Sequence, residues 1–312
     1  MYRILSFDGG GIRGLVTLAL LKRLEAGVPR FVANTQLLAG TSTGGIIALG
    51  LAAGKTVDEL INLYRDNGKE IFDDSWLDDL RDLGGATGAD YDQKNLERLL
   101  KAIFGDLRLR DLQQRVVVPA FDLDNEDPNP AKRTWSPKFF HNFPGNDSDG
   151  SEFVVDIALH TSAAPTYFPT HAGFIDGGVV ANNPSLAALV QTQDMRNRQT
   201  APKFKDVRLI SIGTGRNLAF VKGSTLDWGF VAWAKPLISL LMDASMGIAD
   251  FQCRHILKDN YCRIAPVFAA NQVINLDDWR RADELLAFGS AAPLIDCWTS
   301  RDVAAWAKKI RW

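Results

Sequence analysis

Two glycine-rich turns near the N-terminus constrain the fold more than any other feature of this sequence. Each follows a short apolar run that predicts a strand, Tyr2–Phe7 for the first turn and residues 37–39 for the second. Each also precedes an apolar run with the pattern of a buried helix. A repeated order of strand, turn and helix is typical of a mostly parallel sheet with helices on its faces. We therefore expect an α/β fold.

The same alternation continues through the first two thirds of the chain. Apolar or β-branched runs bounded by turn residues predict strands, and apolar positions at helical spacing predict covering helices. Neither loop-like stretch, 122–130 or 142–151, resembles a linker, so we expect one domain over 1–312, with its motifs within about 3–215 and a more helical C-terminal third, 216–312. The further predicted strands are 116–123, 173–176 and 207–212, and the predicted helices are 15–24, 46–51, 57–72 and 95–104.

The composition limits the classes of partner that the protein can bind. The 35 Lys and Arg residues are balanced by 37 Asp and Glu residues, so no surplus of positive charge is present to hold a nucleic acid. The start of the chain lacks a signal-peptide pattern, and no apolar run approaches the ~20 residues that span a bilayer. We expect a cytoplasmic protein that meets a membrane only from the side. Three cysteines without metal-site spacing predict reduced thiols, with no metal and no cofactor.

The first glycine turn, Asp8 to Gly14, permits two interpretations. Three of its glycines match the G-x-G-x-x-G pattern of dinucleotide sites, in the required context of a strand followed by a helix. That interpretation lacks its second contact, because the second strand leads into Gly40-Thr41-Ser42 and not into an acidic residue that would hold a ribose. Alternatively, the amides of Gly9, Gly10 and Gly11 point together at a developing negative charge and form an oxyanion hole beside a helix N-terminus.

The second turn, Gly40-Thr41-Ser42-Thr43-Gly44-Gly45, fits the G-x-S-x-G nucleophile elbow. A sharp turn from strand to helix crowds neighbouring Cβ atoms, so glycine at Gly40 and Gly44 allows the Ser42 hydroxyl to stand exposed at the sheet edge. A phosphate-binding loop would place Lys directly after the last glycine, where this chain has Ile46. The sequence therefore favours a nucleophilic serine over a phosphate site or a purely structural turn.

A serine hydroxyl needs a base to become a good nucleophile. Asp176-Gly177-Gly178 ends a predicted strand, so a carboxylate enters a turn without bulky neighbours, although such a tripeptide taken alone is more often a simple turn. A triad that recruits His171 is the alternative, and it ranks lower because a lone histidine near a strand is usually structural. The chain has four histidines: His141, His160, His171 and His255.

Four sequence blocks in a fixed order resemble the patatin-like phospholipase family. The resemblance implies a lipid acyl hydrolase with a Ser–Asp dyad, on an α/β core related to that of cytosolic phospholipase A2. The motifs cover about two thirds of the chain, and none lacks a catalytic residue, so we expect an active enzyme. The blocks are Asp8 to Gly14, Gly40 to Gly45, Ala163 to Phe168, and Asp176-Gly177-Gly178 followed by Asn182-Asn183-Pro184.

The resemblance also implies individual roles. Ser42 is the implied nucleophile, Asp176 the proton acceptor, and the amides around Gly10 and Gly11 the oxyanion hole. Arg13 occupies the basic position of the first block, where a guanidinium holds the loop, meets a phosphate oxygen or forms an ordinary salt bridge. The supporting motif residues are Gly14, Gly40, Gly44, Gly177 and Gly178.

The implied partner is a membrane phospholipid. Some bacterial patatin-like enzymes are antiphage effectors switched on by a cyclic nucleotide, so such an activator is a further expectation, although no nucleotide-sensing motif is evident. A nucleotide-binding module that uses Gly9 to Gly14 is the competing function. Residues 227–238 are aromatic and apolar; we expect a packed helix there in preference to a membrane-interface segment. The basic terminus around Lys308 and Trp312 is expected to be solvated.

Overall fold

Seven strands form one sheet in a computed structural model that describes residues 1–72, 93–165, 167–194, 201–221 and 229–312. They are β1 (Tyr2–Phe7), β2 (Leu37–Gly40), β3 (Arg115–Asp122), β4 (Ser136–His141), β5 (Phe174–Asp176), β6 (Val207–Ile212) and β7 (Tyr261–Ile264). Five run parallel in the order β3-β2-β1-β6-β7, and β4 and β5 pair antiparallel with β3. This confirms the predicted α/β fold with a mostly parallel central sheet.

Ten α-helices flank the sheet within the described residues. Strands β1 and β6 and the third helix have the predicted bounds, and the other predicted elements differ by up to three residues at either end. The helices are α1 (Gly14–Gly27), α2 (Thr43–Ala52), α3 (Val57–Phe72), α4 (Gln93–Phe104), α5 (Val154–Ser162), α6 (Gly178–Ala181), α7 (Ser185–Gln191), α8 (Phe230–Leu257), α9 (Ala282–Ala291) and α10 (Val303–Lys309).

Two of these strands were not predicted from the sequence, for different reasons. Strand β4 lies at the sheet edge and contains Pro137, a residue that weakens a strand pattern and that only an edge or a bulge tolerates. Strand β7 has only four residues, all buried, and one of them is the charged Arg263. A buried arginine is rare unless it is paired, so local pattern alone argues against a strand there.

The position of β5 explains how the site is assembled. Strand β2 pairs with the first part of β3, from Arg115 to Val117, and then leaves the sheet. Strand β5 pairs with the last part of β3, from Ala120 to Asp122, where β4 already occupies the opposite edge. It therefore lies beyond the end of β2, and its last residue, Asp176, enters the space into which β2 delivers the second glycine turn.

Helices cover both faces of the sheet. Strand β1 alternates accordingly: Leu5 belongs to the larger apolar cluster, and Ile4 belongs to a smaller cluster on the other face. Helices α1, α2, α3, α5 and α9 pack in the larger cluster, and α7 and α8 pack in the smaller one. Strands buried on both faces are expected of a parallel sheet, and they leave the strand ends as the places where polar groups meet.

The C-terminal third contributes to the same core. Helix α9 packs on α1, where a side chain on Gly289 would collide with Val16 and Ala19. Trp312 is only 2% exposed and stacks on Phe31, with ring centroids 5.1 Å apart. The expectation of a solvated terminus is therefore wrong for this residue.

The structure describes only part of the aromatic segment 227–238. Residues 227 and 228 lie outside the described residues, and the backbone is helical from Phe230 onward, as part of α8. Among the described helices, none is both long enough and apolar enough to cross a bilayer.

Candidate active site

The predicted catalytic residues meet at one edge of the sheet. The first glycine turn follows β1, Ser42 follows β2, and Asp176 ends β5. The Ser42 Cβ lies 3.3 Å from the position that a Cβ on Gly9 would take, so the two glycine turns are in contact. Residues from three separate parts of the chain thus form a single site at the carboxyl ends of the parallel strands, the usual location of ligand sites in open α/β sheets.

Ser42 has a strained backbone, with φ 54° and ψ −124°. A non-glycine residue in such a conformation costs of order 1–3 kcal/mol and persists only where its surroundings hold it. Here the Ser42 amide donates to Thr161 Oγ1 at 3.0 Å, and that hydroxyl donates to the Pro119 carbonyl at 2.6 Å. The Ser42 carbonyl accepts from Ile46 at 3.1 Å within α2. Sequence reasoning missed Thr161, which lies just ahead of the third motif block.

Glycine is required at the two positions flanking the serine. A Cβ on Gly40 would collide with the carbonyl of Gly44, and one on Gly44 would collide with the carbonyl of Phe7. The turn is therefore closed by direct contact between backbones, as the elbow pattern predicts. Gly14 and Gly177 lie in similarly tight places, against Thr43 and Pro119 respectively.

Asp176 is the buried carboxylate of the site and is only 2% exposed. Its Oδ1 accepts a hydrogen bond from the Gly178 amide at 2.6 Å, and its own amide donates to the Ala163 carbonyl at 2.9 Å. Oδ2 has no partner at hydrogen-bond geometry among the described residues, and the adjacent Ser42 hydroxyl is the donor that faces this carboxyl. The carboxyl that faces the serine therefore has one oxygen that the described residues leave without a donor.

Burial sets the protonation of this carboxyl. Desolvation raises the pKa of Asp176 to about 6, and the Ser42 hydroxyl and Gly178 amide only partly oppose that rise. The group is therefore mostly ionised at neutral pH, yet it accepts a proton more readily than an ordinary aspartate would. Such a pKa suits a residue that takes up and releases a proton in every turnover.

The first glycine turn presents two free amides. The Gly9 amide donates to the Asn182 carbonyl at 3.0 Å, so it does not point at a ligand as the sequence had suggested. Within the described residues, the amides of Gly10 and Gly11 donate to no acceptor. Arg13 holds the loop, since its Nε donates to the Gly10 carbonyl at 3.4 Å. Gly10 and Gly11 are therefore the residues of this turn whose amides remain available to donate.

A buried ion pair anchors the start of this loop to the neighbouring strands. Asp8, directly before Gly9, pairs with Arg263 of β7, with nitrogen–oxygen distances of 3.1 and 2.5 Å. The Arg263 Nη1 also donates to Ser211 Oγ at 2.6 Å. Burial is the largest single influence and lowers the pKa of Arg263, but the charge and hydrogen bond of Asp8, together with Tyr261 and Asp250, raise that pKa above its usual value, so the guanidinium stays charged. The first glycine turn is thereby tied to β6 and β7.

The histidines lie elsewhere. His171 Nε2 is 3.7 Å from Asp156 Oδ1, and His160 stacks on Phe174 at 4.4 Å between ring centroids. Burial lowers the pKa of His160 to about 3, so it is neutral. Among the described residues, no hydrogen bond joins a histidine to Ser42 or Asp176, and the geometry gives the His171 triad no support.

Helix α8 covers the far side of the site. A side chain on Gly178 would meet the Met242 methyl group at 2.8 Å, and Ser245 Oγ accepts a hydrogen bond from the Asn182 amide at 3.2 Å. The Asn182 Oδ1 is buried beside Gly9 and Gly178 and has no hydrogen-bond partner among the described residues. Neither Met242 nor Ser245 carries a sequence signal that would have placed it here.

Fold and site together define an α/β protein with a strained serine in the turn between a strand and a helix. More specifically, the patatin-like phospholipase family matches residues 5–189, which is more than half of the chain. The chain belongs to this family, so it is a hydrolase of lipid esters.

Several relatives are similar to this chain over most of its length. A "cGAMP-activated phospholipase" of Pseudomonas aeruginosa is 36% identical over 272 residues, covering 84% of this chain and 78% of the relative. A protein of the same name from Escherichia coli is 38% identical, covering 68% of this chain and 62% of the relative. "Protein teg" of Priestia megaterium is 33% identical, covering 74% and 69%.

Proposed function

We propose that this protein is a phospholipase of the A type, which cleaves fatty-acyl esters of membrane glycerophospholipids through Ser42 and Asp176. The observation that carries the proposal is the pairing of a strained serine with a buried carboxyl whose Oδ2 lacks a hydrogen-bond partner among the described residues. A structural aspartate would satisfy both oxygens, because a buried acceptor without a donor costs free energy.

In the first half-reaction, Asp176 Oδ2 accepts the Ser42 proton while Ser42 Oγ attacks the ester carbonyl carbon. Charge develops on the carbonyl oxygen, and the free amides of Gly10 and Gly11 stabilise it. As the tetrahedral intermediate collapses, the bond to the alcohol breaks and the proton passes from Asp176 to the leaving alkoxide. The product of this step is an acyl-serine and a lysophospholipid.

In the second half-reaction, water attacks the acyl-serine and Asp176 accepts its proton. Collapse of that intermediate releases the fatty acid and returns the proton to Ser42. One carboxyl therefore serves both steps, and the pKa of about 6 keeps either protonation state within reach at neutral pH.

We further propose that a cyclic nucleotide activates this hydrolysis, in the manner of an antiviral defence effector. Support comes from the names of relatives that share 36% and 38% identity with the chain. The alternative function, nucleotide binding by the Gly9 to Gly14 loop, is disfavoured because the Gly9 amide is already bonded within the protein.

The test is fatty-acid release from mixed phospholipid vesicles, measured with and without cGAMP. Ser42→Ala and Asp176→Asn are each expected to reduce the rate at least about 10³-fold, the scale on which coupled catalytic residues act. Matched controls are Ser151→Ala and Asp106→Asn, at exposed positions, which should keep the wild-type rate. Full activity of Asp176→Asn together with loss in His171→Gln would refute the dyad. No release by the wild-type protein under any condition would refute the phospholipid substrate.

A further inference from the structure

An open cavity lies at the edge of the sheet opposite Ser42. Its volume is about 810 Å³, and its wall includes residues at or just before the first positions of three parallel strands: Tyr2 of β1, Gln36 before β2 and Arg115 of β3. The length of β1 separates this edge from the catalytic loops by about 17 Å. We call the cavity the strand-start groove. It is large enough for a ligand of drug or dinucleotide size, for which sites measure roughly 300–1,000 Å³.

The charge of this groove favours an anion. Arg30 and Arg115 both line it, and no Asp or Glu is present among its lining residues in the described part of the chain. A neighbouring depression shares Tyr2 and adds Lys203 and Lys205, together with a single carboxylate, Asp206. Four cations against one acid on a chain of net charge −2 form a local excess of positive charge that suits phosphodiester groups.

The groove also offers the contacts that nucleobases use. Tyr2 and Phe143 both line the groove, and aromatic rings stack bases without regard to sequence. The side-chain amides of Gln113 and Gln114 provide hydrogen-bonding groups of the kind that read base edges.

One of these amides has an unused acceptor. The Gln114 Oε1 is buried and, among the described residues, has no hydrogen-bond donor, whereas its Nε2 donates to the Val32 carbonyl at 3.4 Å. A buried acceptor left without a donor is costly, and a base amino group entering the groove would satisfy it.

From these features we infer that the strand-start groove binds a cyclic dinucleotide, with phosphodiesters on Arg30 and Arg115 and a base against Tyr2 and Phe143. The inference rests on the proposed activation by a cyclic nucleotide and adds the place where that ligand binds. A site here is separate from the active site. It lies against the same strands, β1, β2 and β3, whose other ends lead to the catalytic loops.

The test is isothermal titration of the full chain with cGAMP. Arg115→Gln removes a charge, and Gln114→Met removes the unused acceptor at nearly constant volume. Arg30→Asn removes the second charge at a residue with φ 57°, a conformation that asparagine tolerates. Each should raise Kd at least about tenfold. The matched control is Lys132→Gln, which removes one positive charge from the exposed loop between β3 and β4 and should leave Kd unchanged.

Five further results test the inference. Ser42→Ala is expected to bind cGAMP with the wild-type Kd, since the groove lies at the other sheet edge, and competition by cGAMP of an active-site serine probe would overturn the inference. Binding that is tight in the wild type and equal in all groove variants refutes this location but keeps the proposed activation. Absence of both binding and activation in the wild type refutes the activation and the groove together. Equal affinity for GMP, AMP and inorganic phosphate would show a general phosphate site, and so refute a cyclic dinucleotide as its ligand.

Discussion

Replacing Asp176 with asparagine should abolish activity and at the same time stabilise the protein at neutral and alkaline pH. In the folded chain, burial raises the pKa of this carboxyl from 3.8 to about 6. A raised pKa means that the folded state favours the protonated form. The stability that this raised pKa contributes is fully present below the unfolded pKa of the carboxyl. It is lost as the pH rises through the folded pKa. At pH 8 the native state therefore contains a destabilising buried carboxylate.

The magnitude follows from that shift. A pKa difference of about 2 units corresponds to about 3 kcal/mol at 1.36 kcal/mol per unit, an upper value because an asparagine amide is also desolvated on folding. We expect Asp176→Asn to gain about 1–3 kcal/mol at pH 8, which is a rise in Tm of about 2–6 °C. The gain should shrink as the pH falls below 6 and should vanish only below the unfolded pKa of 3.8, where the carboxyl is protonated in both states.

The assay is urea unfolding of both proteins at pH 4.5, 6 and 8. The exposed variant Asp106→Asn is the control, and it should change stability by less than about 0.5 kcal/mol at each pH. A destabilised Asp176→Asn at pH 8, or a gain of equal size at pH 4.5 and pH 8, would show that desolvation does not set this pKa. Our account of the base would then be wrong.

Other perturbations have distinct expected results. Arg263→Met should lower stability by about 3–5 kcal/mol because it strands the Asp8 charge, and the double variant with Asp8→Asn should recover part of it in urea titrations; equal losses in both would contradict this. Thr161→Val removes the acceptor of the Ser42 amide, so we expect a loss of about 1–3 kcal/mol in thermal unfolding and a lower kcat with little change in KM. If Asp176 acts as the proposed base, kcat/KM should fall about tenfold per pH unit below pH 6, and a flat profile down to pH 5 would argue against that role. Trp312→Ala should cost about 3–5 kcal/mol by calorimetry while leaving kcat of the folded protein unchanged.

Local sequence determined much of this protein. The turn around Ser42 was predictable because its steric demands fall on adjacent residues: a backbone in contact with itself admits only glycine at Gly40 and Gly44. The parallel sheet was predictable for a similar reason, since strands buried on both faces leave continuous apolar runs between turns. The candidate base Asp176 was predictable from its place at the end of such a run, together with the family motifs.

Tertiary structure decided what depends on groups far apart in the chain. Nothing in the sequence near Asp8 indicates that Arg263, 255 residues away, would neutralise it. Unless Asp8 is known to pair with Arg263, the charged residue hides the strand pattern of β7. The Gly9 amide was predicted to face the substrate, but the carbonyl of Asn182 takes it. The strand-start groove likewise exists only because parallel strands bring their first residues side by side. Sequence encodes short-range steric and apolar preferences directly, whereas the pairing of single charges and amides depends on which distant segments the completed sheet brings into contact.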